Sequence, residues 1–433
     1  MKRLDDIAVG EAARASRMAG TLVGSQILKV AGEIREIVAR GRTVCNLTVG
    51  DFSPAQFPIP TGLRDRIIEA LRQGETNYPP SAGLPGLRES IREFYRERLG
   101  LDYPLPAVLV TGGARPGIYA TFRVLCDPGD RVVFPVPSWN NDYYCHMVGA
   151  QAVPVATSPE TEFLPTRDML ALPIRGARML ALNSPLNPTG TCFEPEPLAA
   201  ICDLVLEENA RRERAGRQER PLYLLYDQVY WMLTFGATQH VHPVELRPEI
   251  APYTIYIDGI SKPFASTGLR VGWVVGPEDL VGRMSDFLGH VGSWAPRPEQ
   301  LATAELLRSG DEIESYHRVM KRGVEARLDR LFAGLMELKM RGLPADAFPP
   351  MGAIYLSARF DLIGRAAPDG HVFRTNEEIR RYLLHEAGFA AVAFQAFGVR
   401  EETGWFRLSV GAVSLEQIEE VLPRVQQALE RVQ

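Results

Sequence analysis

Short apolar, often β-branched runs recur seven times between residues 105 and 275, and this recurrence restricts the fold more than any other feature. The runs fall at 107–111, 131–134, 152–155, 179–182, 222–226, 254–257 and 271–275. Helical stretches such as 117–126 and 196–208 lie between several of them. Strands joined through helices pair in parallel, because a crossover is needed to bring the chain back to the same edge. The pattern predicts an α/β fold: a large domain with a mostly parallel seven-stranded sheet between helical layers.

The flanking regions read differently. Residues 25–41 form an amphipathic helix pattern, 44–49 a short strand and 59–73 a helix with Pro60 in its first turn. A long helical region at 299–340 precedes an α+β tail. In that tail, strands are expected at 353–358 and 405–410. Helices are expected at 377–386, capped by Thr375 or Asn376, and at 416–431. This gives a second, smaller α+β domain built from the N-terminal segment and the C-terminal part. The division is placed at 1–55, 56–310 and 311–433.

Composition narrows the function classes. A net charge of -5 without a long basic run gives no footprint for nucleic acid or an anionic membrane. The start lacks the apolar core of a signal peptide, and no apolar run is long enough to span a bilayer. Five scattered cysteines without a CxxC spacing fit reduced thiols, so the expected location is cytoplasmic, with no metal. His240 and His242 read as surface residues, and 207–220 as a solvated helix end and loop.

Four segments carry candidate chemistry. Lys262 follows Ser261 and precedes Arg270 by eight residues. A lysine that forms an imine with an aldehyde cofactor must be partly desolvated or close to another cation, and an arginine nearby can hold a phosphate. Solvated surface charges are the competing reading. Asn187-Pro188-Thr189-Gly190 would present an amide at a strand's carboxyl end, or form an ordinary turn. Asp227, at the end of an apolar strand, can face a ligand's ring nitrogen with Tyr230 close behind, or simply cap a helix. Thr111-Gly-Gly-Ala-Arg115-Pro-Gly117 can bind phosphate through free N–H groups, or serve as a plain strand-to-helix turn.

Jointly these segments resemble the fold-type I pyridoxal-phosphate (PLP) enzymes, specifically the class I and II aminotransferases related to aspartate aminotransferase. The resemblance runs from about Ser25 to the C-terminus. It also takes in Asn77-Tyr78, Gly83, Pro137-Ser-Trp139 and Phe406-Arg407 in the family's order. It implies an amino-group exchange between an L-amino acid and a 2-oxo acid by a ping-pong route, through a Lys262 Schiff base to PLP.

The roles implied are as follows. Asp227 keeps the pyridine nitrogen protonated, and Asn187 and Tyr230 hydrogen-bond the ring oxygen. Trp139 stacks on the ring. Gly113, Ala114, Arg115, Ser261 and Arg270 surround the phosphate, and Tyr78 reaches it from a neighbouring subunit of a homodimer. Arg407 clamps the substrate carboxylate with Gly50 close by.

Three departures bear on the details. Gly259 stands where the family often has a phosphate-binding serine, so Ser261 or Ser266 is expected to substitute. The loop Ala393-Phe394-Gln395-Ala396-Phe397-Gly398 differs from the family's Pro-Gly-x-x-Phe-Gly. Arg115 falls where some relatives pair a basic residue with a distal carboxylate, whereas the companion hydroxyl position is Ile27. Phe52, Trp294 and Phe394 are candidates for an apolar lining. The implied donor is a dicarboxylate, or a broad range of amino acids. Alternatives are β-elimination or decarboxylation on the same scaffold, and a non-catalytic PLP-binding regulator.

Overall fold

A computed structural model describes residues 15–24, 26–216 and 219–433. In chain order its strands are β1 Cys45–Asn46, β2 Val108–Thr111, β3 Arg131–Val136, β4 Gln151–Ala156, β5 Ala177–Asn183, β6 Tyr223–Asp227 and β7 Thr254–Gly259. They continue with β8 Gly272–Val275, β9 Ala345–Ala347, β10 Tyr355–Phe360, β11 Phe389–Ala390, β12 Val392–Ala393 and β13 Trp405–Ser409.

The large sheet has seven strands in the order β2-β8-β7-β6-β5-β3-β4. Strands β4, β3, β5, β6 and β7 pair in parallel, and β8 runs antiparallel to both of its neighbours. The sheet is mostly parallel, as its near-continuous apolar strands require: β2, β7 and β8 are buried along their whole length. Apolar side chains from the two faces enter two separate cores, with Leu225, Ile255 and Ile257 in one and Leu224, Tyr226 and Tyr256 in the other.

The smaller part holds the antiparallel sheet β12-β13-β10-β9. Strand β1 pairs in parallel with β11, which fastens the N-terminal segment to the C-terminal part. The 299–340 region is two helices, Arg297–Arg308 and Gly310–Met340, separated at Ser309. The late helix spans Asn376–Ala387, and Thr375 closes a capping box with Glu378.

Two expectations need correction. The 207–220 stretch is not simply solvated, because the helix Pro195–Arg214 runs through it and buries Glu208, Asn209 and Arg212. Arg212 Nε donates to Glu208 Oε1 at 2.8 Å, and Arg211 donates to both Glu208 oxygens at 2.9 Å. Burial works against the Glu208 charge, but these guanidinium bonds outweigh it and hold the carboxyl at about 2. Nor do the histidines lie on the surface: His242 is only 2% exposed, and its Nε2 lies 2.9 Å from the Leu99 carbonyl. Sequence alone could not reveal either, since the covering elements are remote in the chain.

Candidate active site

The site lies at the carboxyl ends of the parallel strands, where chain reversals leave a crevice. Asp227 is the last residue of β6, and its Oδ1 accepts the Val229 N–H at 3.2 Å, so it also caps the turn that follows. Burial raises this carboxyl to about 7, against the pull of that N–H and of Lys262. Tyr230, three residues on, is buried, with its hydroxyl 2.6 Å from that of Tyr355 on β10.

Lys262 sits in the turn after β7 and is half-buried. Its amine donates to the Gly50 carbonyl at 2.7 Å and lies 5.7 Å from the centre of the Tyr230 ring. Burial lowers it to about 8: Asp51 and Asp227 favour its charge, while Arg407 and Arg115 oppose it. A lysine in this setting is neutral far more often than one in water.

Arg407, on β13, is 1% exposed. One of its terminal nitrogens donates to Asn187 Oδ1 at 3.2 Å and the other to the Thr48 carbonyl at 2.6 Å. Its Nε is buried without a partner. The rings of Tyr355 and Phe397 flank the guanidinium at 4.7 and 4.9 Å. Asn187 is held in turn: its N–H donates to Asn183 Oδ1, and Asn183 Nδ2 donates to the Asp227 carbonyl, both at 2.7 Å.

The third component begins the helix Ala114–Leu125. Its N-cap, Gly113, has φ of 91°, and no side chain caps the leading N–H groups. A Cβ on Gly113 would meet an Arg270 guanidinium nitrogen at 2.3 Å, so only glycine lets the arginine close on this backbone. Arg270 also donates to the Thr267 and Gly112 carbonyls at 2.7 and 3.1 Å. Free N–H groups at a helix start beside a guanidinium form a cradle suited to a phosphate.

Arg115, on the first turn, is exposed and stacks 5.2 Å from the Trp139 ring centre. Ser261 is half-buried, whereas Ser266 is buried and donates to the Phe264 carbonyl at 2.7 Å. Tyr78 is 80% exposed, with its ring 5.2 Å from Trp294. The preceding residue, Ser293, accepts the Gly112 N–H at 3.0 Å.

Thus Lys262, Gly50, Asp227, Tyr230, Asn187 and Arg407 converge, with the Gly113–Arg270 cradle close by. Of the proposed apolar lining, Phe52 packs on Phe57, and Phe394 enters an aromatic cluster with Phe163 and Trp405. The aromatic beside Arg407 is Phe397, which also faces Trp139 at 6.2 Å. The Ile27 side chain lies outside the described ones, as does Ser25.

Sequence reasoning missed Tyr355 and Thr267. Thr267 Oγ1 donates to Asp51 Oδ1 at 2.5 Å, bridging the lysine turn to the N-terminal segment. Neither residue carries a motif that could have singled it out.

A half-buried lysine of lowered basicity, a buried carboxyl and an anion cradle at strand ends define an enzyme class that works through a phosphorylated aldehyde cofactor. The model of the aminotransferase class I and II family matches residues 42–425, and the chain belongs to that family. A probable aspartate/prephenate aminotransferase of Rhizobium leguminosarum bv. phaseoli is 32% identical over 407 residues, 93% of this chain and 95% of that protein. The crystal structure of the aspartate aminotransferase from Rhizobium meliloti superposes with a TM-score of 0.87 at 26% identity, covering 97% of this chain and all of that one. The Thermus thermophilus aspartate aminotransferase with maleate gives 0.84 at 27%, covering 96% and 99%. The protein is a PLP-dependent transaminase, exchanging an amino group between an amino acid and a 2-oxo acid. The orphaned Arg407 Nε and the cradle closed by Gly113 fit the anionic substrate and cofactor that such an enzyme holds.

Proposed function

We propose that this transaminase favours dicarboxylate amino acids and 2-oxo acids, with Arg407 holding the α-carboxylate and Arg115 the distal one. The α-carboxylate clamp rests on the Arg407 guanidinium, fully buried between two rings with Nε unsatisfied, and the distal one on Arg115, exposed over the Trp139 ring. A buried cation with a free donor needs an anion, and the planar fork suits a carboxylate. The substrates for which the Rhizobium relative is named, aspartate and prephenate, and the maleate in the Thermus thermophilus structure are all compatible with it.

Lys262 would carry the cofactor, with Arg270, Ser261 and the backbone of Gly113, Ala114 and Arg115 around its phosphate. Asp227 would hold a proton on the ring nitrogen, which its placement at the strand end suits. Asn187 and Tyr230 would donate to the ring oxygen, and Trp139 would cover the ring. When bound, PLP supplies an electron sink for the pair left on the substrate α-carbon. The Lys262 amine, neutral at mildly alkaline pH, would take the proton from that carbon. Residues 1–55 and 311–433 would then contribute the α-carboxylate clamp, and 56–310 the cofactor site together with Arg115.

The exposed Tyr78 would complete the phosphate site of a second subunit, making the working form a homodimer, and the five buried free thiols suit a cytoplasmic setting. Incubation with L-aspartate and 2-oxoglutarate should yield glutamate and oxaloacetate. Turnover confined to monocarboxylate donors would overturn the dicarboxylate preference.

A further inference from the structure

On the reverse face of the large sheet, behind the site, lies a buried polar group that the reaction chemistry does not use. Across the β6–β7 pair Asp227 stands opposite Ile257, so the next residue, Asp258, points to the other face. It is 0% exposed. Its Oδ2 accepts Trp231 Nε1 at 2.8 Å and the Tyr95 hydroxyl at 3.0 Å, and its Oδ1 accepts the Gly259 N–H at 2.7 Å.

All three partners donate. The Tyr95 hydroxyl in turn accepts Trp273 Nε1 at 3.0 Å and Gln228 Nε2 at 3.3 Å, which leaves its own proton for Asp258. Burial pushes Asp258 up to about 8, opposed by these three donors and reinforced by the Asp227 charge. The three donors suit the carboxylate, which burial opposes, so Asp258 carries its charge only above about 8.

The connections run to both halves of the site. Gln228 follows Asp227, and its N–H is fixed on the Ile257 carbonyl at 3.0 Å, while its side chain reaches Asp258 through Tyr95. Trp231 follows Tyr230, donates its N–H to the Gln228 carbonyl at 2.9 Å and binds Asp258 directly. On the other side, Gly259 leads through Ile260 and Ser261 to Lys262. His240 closes the network, with Nε2 3.3 Å from Gln228 Oε1.

We infer that Asp258 is a positioning residue that ties the turn bearing Asp227 and Tyr230 to the turn bearing Lys262, through Trp231, Tyr95–Gln228 and the Gly259 amide. This rests on the roles proposed above for Asp227 and Lys262. An apolar filling of the same core would be no less stable, since a buried charge is a poor source of stability.

The test uses Asp258→Asn and Trp231→Phe in the full chain, with PLP as the probe. In Asp258→Asn the apo-protein's affinity for PLP should fall about tenfold, because the turns that carry Asp227 and Lys262 lose a shared anchor. With aspartate and 2-oxoglutarate, kcat should fall about tenfold while KM stays within about threefold, as for loss of an interaction made in the transition state. Trp231→Phe removes one tie and leaves Asp258 in place, so kcat and PLP affinity should fall there too. It also decides the matter if the Asn variant does not fold.

Wild-type PLP affinity and kcat in either variant, with only a lower melting temperature, would overturn the inference. A wild-type protein without transamination would sink the proposed function instead, while the affinity readout would still judge Asp258.

Discussion

The Lys262 amine donates to the Gly50 carbonyl at 2.7 Å, joining residues 212 positions apart in the chain. The contact places a large-sheet turn against the segment that β1 fastens to the C-terminal part, so the amine lies where the two parts of the molecule meet. Arg407 reaches the same segment through the Thr48 carbonyl at 2.6 Å.

Because burial leads the causes that lower the Lys262 amine to about 8, its neutral form dominates only above that pH. The rate at which apo-protein takes up PLP should therefore rise with pH to a midpoint near 8, rather than near the 10.5 of a free lysine. Stopped-flow absorbance would record it. Lys262→Ala should abolish both covalent cofactor uptake and turnover.

Arg407→Lys retains a charge but loses the planar fork that meets a carboxylate with two parallel bonds. A loss of about a hundredfold in kcat/KM for aspartate is expected, near the upper end for a charged hydrogen bond. Steady-state kinetics on aspartate would measure it, and a change below threefold would count against the clamp.

Asp227→Asn removes the only carboxyl at the end of β6, and with it the partner proposed for the ring nitrogen. A drop of about a hundredfold or more in kcat is expected, on the scale of acid–base contributions. Asp227→Glu should recover part of it if charge, and not shape alone, matters.

Gly259→Ser tests why this chain departs from its family. A Cβ there would stand 2.7 Å from the Val271 carbonyl and 2.8 Å from Gly272 Cα, both backbone atoms that cannot swing aside. The substitution should destabilise the fold by about 1–3 kcal/mol without tightening PLP binding. Denaturant unfolding and a PLP titration would read the two effects separately.

Glu208, held at about 2, contributes stability that is fully present above the 4.5 of an ordinary glutamate and lost as pH falls towards 2. Glu208→Gln should remove that acid sensitivity and cost about 3 kcal/mol, because the buried Arg212 would lose its close counter-charge and keep only Glu219, at 3.9 Å. Urea melts at pH 3 and 7 would show whether the difference disappears in the variant.

The local pattern carried much of the reading. Apolar runs of strand length separated by helices dictate a buried parallel sheet, because backbone pairing and burial leave few other solutions. Lys262, Asp227, Asn187 and Arg407 stood out because their residue types and turn-forming neighbours signal chemistry at short range. Tyr355, Thr267 and Asp258 did not. Each is an ordinary residue in its own segment and acquires its partner only through long-range packing.

Sequence alone thus determined the α/β architecture and the family, and it singled out the residues proposed to hold the cofactor. Only the tertiary structure decided how they are tuned. Burial sets Lys262 near 8 and Asp227 near 7, and orphans one nitrogen of Arg407. Desolvation and buried hydrogen bonds depend on what the rest of the chain brings alongside, which no local pattern contains.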